Sequence, residues 1–237
     1  EMTSSLVGSE MCIRDRLYSL CIDLAKNASK ARENLSENDG IMTLTSLNEA
    51  KAETQKAMNS LYEKYPTIFG GYSKAKSVML SELMSYTQIT GVFFPFTFEA
   101  NVNVAVPEFS IPATMCHELS HLRGFAREDE ANFIAYLACI NSDNAEVQYS
   151  GYMLAFIHSV NALYSSDVEK YQEVFSYLSD KAKSDLNANN EYWAKYETPV
   201  AEVASSINDS YLKANSQDDG TKSYGRMVDL LLAYSRK

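Results

Sequence analysis

Histidine is scarce in this chain, with three among 237 residues, and tryptophan occurs once. Cysteine is nearly as rare: Cys12, Cys21, Cys116 and Cys139 are the four, and no two of them form a C-x-x-C pair. That spacing argues against a cysteine-ligated zinc site, and so few cysteines in so long a chain argue against a disulfide framework. Basic residues are in deficit as well. Lys and Arg number 21 against 31 Asp and Glu, a formal net charge of -10 with a pI near 4.8. A nucleic-acid partner needs clustered Lys and Arg, so this balance argues against that class, and it disfavours adhesion to anionic lipid. Long apolar runs are missing too. The nearest candidate, residues 151–164, contains His158 and Asn161. It falls short of the roughly 18 apolar residues that a membrane span needs, and reads as a buried helix.

What is present suffices for a folded domain. Hydrophobic residues make up 46% of the chain and charged residues 22%, which is ordinary for a globular protein. Leu17, Leu20, Cys21, Leu24 and Ala28 fall at helical spacing, predicting an amphipathic helix over residues 17–35. Residues 36–40 form a polar break. A second helix is expected over 47–65, ended by Pro66. Between residues 77 and 109 the character changes. Residues 77–86 are compatible with strand or helix, 89–98 are rich in β-branched and aromatic side chains, and Asn101 to Val106 alternates polar with apolar, as a half-buried strand does. A sheet of two to four strands follows. Beyond Pro112 the pattern is helical: 113–123 stopped by Gly124, then 128–141, 144–164, 168–178, a long segment 181–214 broken near Pro199, and 224–234. The fold class expected is α+β, a small antiparallel or mixed sheet beside a mainly helical body.

Two of the three histidines stand in the string His117-Glu118-Leu119-Ser120-His121. On a helix, positions i and i+4 share a face, so both imidazoles can direct a nitrogen at one ion. Glu118 then falls beside the water such an ion would activate, where a carboxylate serves as general base. The bland alternative is a pair of histidines with no metal. A catalytic zinc needs a third protein ligand. Gly124 lets the chain reverse, so a following helix beginning near Glu128 can return beside the first. Glu128 is the leading candidate, with Asn132 one turn later placed to orient a ligand histidine. Glu130 is the reserve, and His158 a weaker option in an apolar run, where a hydrogen-bonded core histidine is commoner. Equally, the Glu-Asp-Glu run at 128–130 suits a solvated helix N-terminus. Tyr211, Tyr224 and Arg226 are candidates for stabilising an oxyanion or binding substrate. The segment 101–106 is either an edge strand that aligns an extended peptide or simply sheet structure.

Three stretches carry a resemblance: PFTFEANVN (Pro95 to Asn103), CHELSHLRGFAREDEANFIAYLAC (Cys116 to Cys139) and NDSYLKANSQDDGTKSYGRMVDLLLAY (Asn208 to Tyr234). Together they resemble domain-of-unknown-function family 3810. The resemblance implies a bacterial protein with a gluzincin-like, zincin-type metallopeptidase domain that is membrane-anchored through N-terminal helices preceding this region. It implies a Zn2+ cofactor held by two motif histidines and a glutamate, with Glu128 and Asn132 matching the family's glutamate-and-Asn/Asp spacing. The partner implied is a peptide or protein substrate, and the catalytic domain is expected outside the cytoplasm. The fragment itself is expected to be soluble. Ser5 to Arg16 (SLVGSEMCIRDR) resembles a translated sequencing adaptor. Residues 1–16 are therefore expected to be non-native, and residues 17–237 to form a single zincin-like domain. The function expected is a zinc-dependent peptidase. The alternatives are a catalytically silent zinc-binding domain that recognises a peptide, and a helical interaction module without metal.

Overall fold

The computed structural model describes residues 2–68, 70–199, 201–202 and 224–236. Helix α1 runs Met2–Arg32 and α2 Leu47–Lys64. Between them the chain makes a two-stranded antiparallel ribbon, β1 (Glu37–Asn38) and β2 (Ile41–Met42), where the sequence reading placed only a polar break. The ribbon closes through Asp39 and Gly40, both at positive φ (50° and 78°), a conformation that Asp-Gly adopts readily in two-residue hairpins. Helix α2 starts on Ser46, whose side chain accepts from the Glu49 amide, and ends before Pro66.

A three-stranded sheet follows in the order β3 (Lys76–Ser77), β5 (Glu99–Val102), β4 (Gly91–Phe94), with the short helix α3 (Ser81–Ser85) between β3 and β4. β3 pairs parallel with β5, and β4 pairs antiparallel with it, so the sheet is mixed. The alternating segment 101–106 is strand only as far as Val102, and it lies in the centre of the sheet. The strand stops at Asn103, whose amide still bonds the Thr90 carbonyl but whose buried side chain turns the chain by accepting from the Ala105 amide and donating to Ser85 Oγ and the Ile89 carbonyl.

The remaining helices are α4 (Ile111–Leu122), α5 (Glu128–Ile140), α6 (Ala145–Ser166), α7 (Val168–Val174), α8 (Asp180–Ala194) and α9 (Tyr224–Tyr234). The long segment from 181, expected to break near Pro199, is helical to Ala194, and residues 195–198 form the break just before Pro199. Helix α6 is the hub. Val147, Tyr149, Met153, Phe156, Val160 and Leu163 are buried along it, and it packs against α1, α4, α5, α7 and α9. The architecture is α+β, with the small sheet laid on α4 through β4 and β5. Among the described residues no helix is long and apolar enough to cross a membrane.

Candidate metal centre

Helix α4 carries the motif because Pro112 sits in its first turn, where no intrahelical amide is needed, and because Gly124 ends it. Gly124 takes φ of 88°, the left-handed conformation of a helix C-terminus, and its amide returns to the His121 carbonyl at 2.9 Å. The chain turns there and re-enters a helix at Glu128. Glu128, Asp129 and Glu130 occupy the first turn of α5, where carboxylates favour the helix dipole. Helices α4 and α5 then pack side by side.

That packing brings His117, His121 and Glu128 together, each offering one ligand atom, with all of these atoms within 4.8 Å of one another. His117 Nε2 lies 2.9 Å from His121 Nε2, and Glu128 places its carboxylate oxygens 3.1 Å from the first and 3.5 Å from the second. The far side of each ring is fixed. His121 Nδ1 meets the Phe125 carbonyl at 2.7 Å, and His117 Nδ1 meets Asn132 Oδ1 at 2.8 Å. A carbonyl can only accept, so His121 carries its proton on Nδ1; with the Asn132 amide oxygen facing it, His117 does the same. With both rings neutral, the two Nε2 atoms are lone pairs pointing at each other and at a carboxylate. That arrangement is repulsive unless a cation lies among the three, and a metal ion satisfies all of them at once. The side chains are 14% exposed for each histidine and 18% for Glu128, so the cluster can be reached from solvent.

Glu118 is not one of the three clustered residues, though their charges act on it. It is buried, and the carboxylate lies beneath β4, so close to Gly91 that a methyl group there would stand 2.5 Å from Oε1. Burial pushes its carboxyl upward; the charges of His117 and His121 and the Phe93 backbone amide pull the other way without prevailing. For Glu128 the balance is reversed. Burial opposes its charge, but the adjoining His117 and His121, which donate from Nε2 and carry positive charge when protonated, outweigh it and hold the carboxyl well below the usual range. Burial would also depress His121, yet Glu128 and Glu118 raise it.

Glu130, the reserve ligand, is half-buried, lies 3.5 Å from Arg127 and is not part of the cluster. His158 lies half-buried on α6 and outside the ligand cluster; burial, with a contribution from the charge of His117, pushes it down to about 4. Tyr211 falls outside the described residues. Tyr224 begins α9, its side chain also outside them, and Arg226 is exposed on the same helix.

The strand beside the site is β4, not the segment 101–106. β4 is an edge strand, and its register with β5 shows which way its backbone faces. The Asn103 amide bonds the Thr90 carbonyl, so residues 90, 92 and 94 pair inward while Gly91 and Phe93 turn their amides and carbonyls to the open edge. The Phe93 amide reaches the Glu118 carboxylate from that edge. Gly91 and Phe93 escaped the sequence reading. The glycine at the head of a β-rich run is a signal for close backbone approach, but nothing local says what approaches.

Comparison with known proteins adds one finding. A family model described as a protein of unknown function, DUF3810, matches residues 5–232. No curated protein and no solved structure matches the chain.

Proposed function

The chain belongs to the DUF3810 family, and we propose that it is a zinc-dependent peptidase whose metal is held by His117, His121 and Glu128 and whose general base is Glu118. One observation carries this reading: two imidazole lone pairs and a carboxylate converge, each ring braced from behind by an acceptor. Two nitrogens and one carboxylate oxygen suit zinc, and three protein ligands leave a coordination position open, as catalytic rather than structural sites do. A zinc ion, when bound, supplies Lewis-acid chemistry and makes water acidic enough to lose a proton near neutral pH.

The chain's own residues supply the rest. Asn132 and the Phe125 carbonyl hold the two rings in the tautomer that ligates. Glu118, next in sequence to a ligand, accepts the proton of the attacking water at its carboxylate and returns it to the leaving amine. Gly91 leaves the space in which that carboxylate lies. The open amides and carbonyls of Gly91 and Phe93 offer main-chain hydrogen bonds to an extended peptide laid along β4. Such a peptide takes the Phe93 amide from Glu118 and frees the carboxylate for water. A full-length protein anchored in a membrane, with this domain outside the cytoplasm, is part of the same proposal.

Metal analysis tests the reading directly. Protein purified without chelator and dialysed against buffer is expected to keep about one zinc per chain, and His117→Ala to lose it. Wild-type protein that takes up no zinc at micromolar concentrations sinks the proposal. A second result is expected at Gly91. Gly91→Ala puts its methyl group against Glu118 Oε1 and Cγ, displacing the base while leaving the three ligands alone. Zinc content should stay at the wild-type level and peptide hydrolysis fall by about a hundredfold, the scale on which small misplacements act. Hydrolysis at the wild-type rate in Gly91→Ala would show that Glu118 need not lie where it does.

A further inference from the structure

The strip of chain beside the metal centre is unlike the rest of the surface. The protein carries a formal net charge of -10, yet residues 83–98 contain no charged side chain at all. Within that strip the open edge of β4 shows two faces. Gly91 and Phe93 lie on the half-buried one, toward α4, while Val92 and Phe94 stand on the other, 44% and 47% exposed. Beyond Phe94 the hairpin tip continues the same character: Phe96 is 87% exposed and its ring lies 5.6 Å from that of Phe94. Exposed aromatics on an uncharged edge strand are a liability for aggregation unless something covers them in use.

Resting on the peptidase reading, we infer that the substrate class is an extended polypeptide segment carrying apolar side chains at alternate positions, read by Val92 and Phe94 as cross-strand neighbours. The register dictates the spacing. In a strand added to β4, the residues directly opposite 92 and 94 place their side chains on the same face as Val92 and Phe94, two residues apart. Residues of the added strand on the other face lie toward α4, the side on which Gly91 already has the Glu118 carboxylate against it. The discriminating positions are therefore set beside the reacting bond, not at it. Apolar pairs are favoured across such a strand junction, and a charged residue placed there loses water without gaining a partner. The strip adjoins Glu118, which the Phe93 amide of the same strand reaches and which neighbours the ligand His117 in sequence.

The test separates binding from turnover. Zinc-loaded Glu118→Gln protein is titrated with fluorescent peptides identical except at two alternate positions, which are Val and Phe, two Lys, or two Glu. The apolar peptide is expected to bind about tenfold tighter than either charged one, the sum of two cross-strand pairs. In the Val92→Glu/Phe94→Glu variant the order reverses and the lysine peptide binds best. Equal binding of all three peptides to the unmodified edge overturns the inference, and so does a variant that leaves the order unchanged. If sedimentation shows instead that the strip pairs two copies of the chain, or that it partitions onto neutral vesicles with no peptide preference, the inference is likewise overturned. Hydrolysis that is indifferent to the apolar residues sinks this inference and leaves the peptidase reading intact. Apolar peptide binding without zinc uptake sinks the peptidase reading alone.

Discussion

Exchanging Glu118 for glutamine is expected to leave about one zinc per chain and to lower peptide hydrolysis by between a hundredfold and ten-thousandfold, the range over which a positioned proton acceptor contributes. The geometry dictates the split. His117, His121 and Glu128 form the ligand cluster without Glu118, so removing its charge does not empty the site. Glutamine matches the shape and can still accept from the Phe93 amide, so the packing under Gly91 is kept. What it cannot do is take a proton. The measurement is zinc content and peptide turnover on the same preparation. Turnover within about threefold of wild type would remove Glu118 from the proton-transfer role. Wild-type protein that binds zinc and hydrolyses none of a broad set of peptides would point to the silent, peptide-recognising domain instead. The two functions share a ligand set and differ only in whether the residue after His117 is used.

Much of this site can be read in the sequence because it is local. His117, Glu118 and His121 lie within one and a half turns of a single helix, and helical spacing alone places the two rings together. Glu128 and Asn132 are one turn apart on the next helix, and the short connection through Gly124 forces the two helices to lie side by side. Most helices fall within a few residues of their expected ends for the same reason. The sheet resists such reading. Which strand is central and which lies at the edge depends on pairing between segments far apart in sequence, and the alternation at 101–106 is equally consistent with either place. Its premature end at Val102 follows from one buried amide, Asn103, reaching Ser85 and Ile89. The ribbon at 37–42 did leave a signal in Asp39-Gly40, but its flanking residues are polar and show no alternation.

A charge pair invisible to any local pattern joins distant parts of the fold. Arg32 at the end of α1 and Asp185 in α8 are both fully buried and separated by 153 residues. Arg32 Nε donates to Asp185 Oδ2 at 2.6 Å, and its other nitrogens reach Glu37 Oε2 at 3.0 Å and the Gly40 carbonyl at 3.2 Å. Asp185 accepts in addition from Tyr149 at 2.6 Å and from the Met42 amide at 2.7 Å. One carboxylate thus ties α1, the β1–β2 ribbon, α6 and α8. Burial, then the Asp185 charge, drive the Tyr149 hydroxyl far above its ordinary range, so it remains a donor. Asp185→Ala would leave a buried guanidinium, a buried phenol and a buried amide without that partner. The expected cost is about 3–5 kcal/mol, the scale for breaking one side of a buried pair. At roughly 2–4 °C per kcal/mol for a chain of this size, the melting temperature should fall by about 10 °C. Replacing both partners removes the orphaned charge, so Arg32→Met/Asp185→Leu should lose much less than the two single changes added together. Urea denaturation of the two singles and the double closes the cycle. Singles that each cost under about 1 kcal/mol, or a double that merely adds them, would show that the pair does not hold these four elements together.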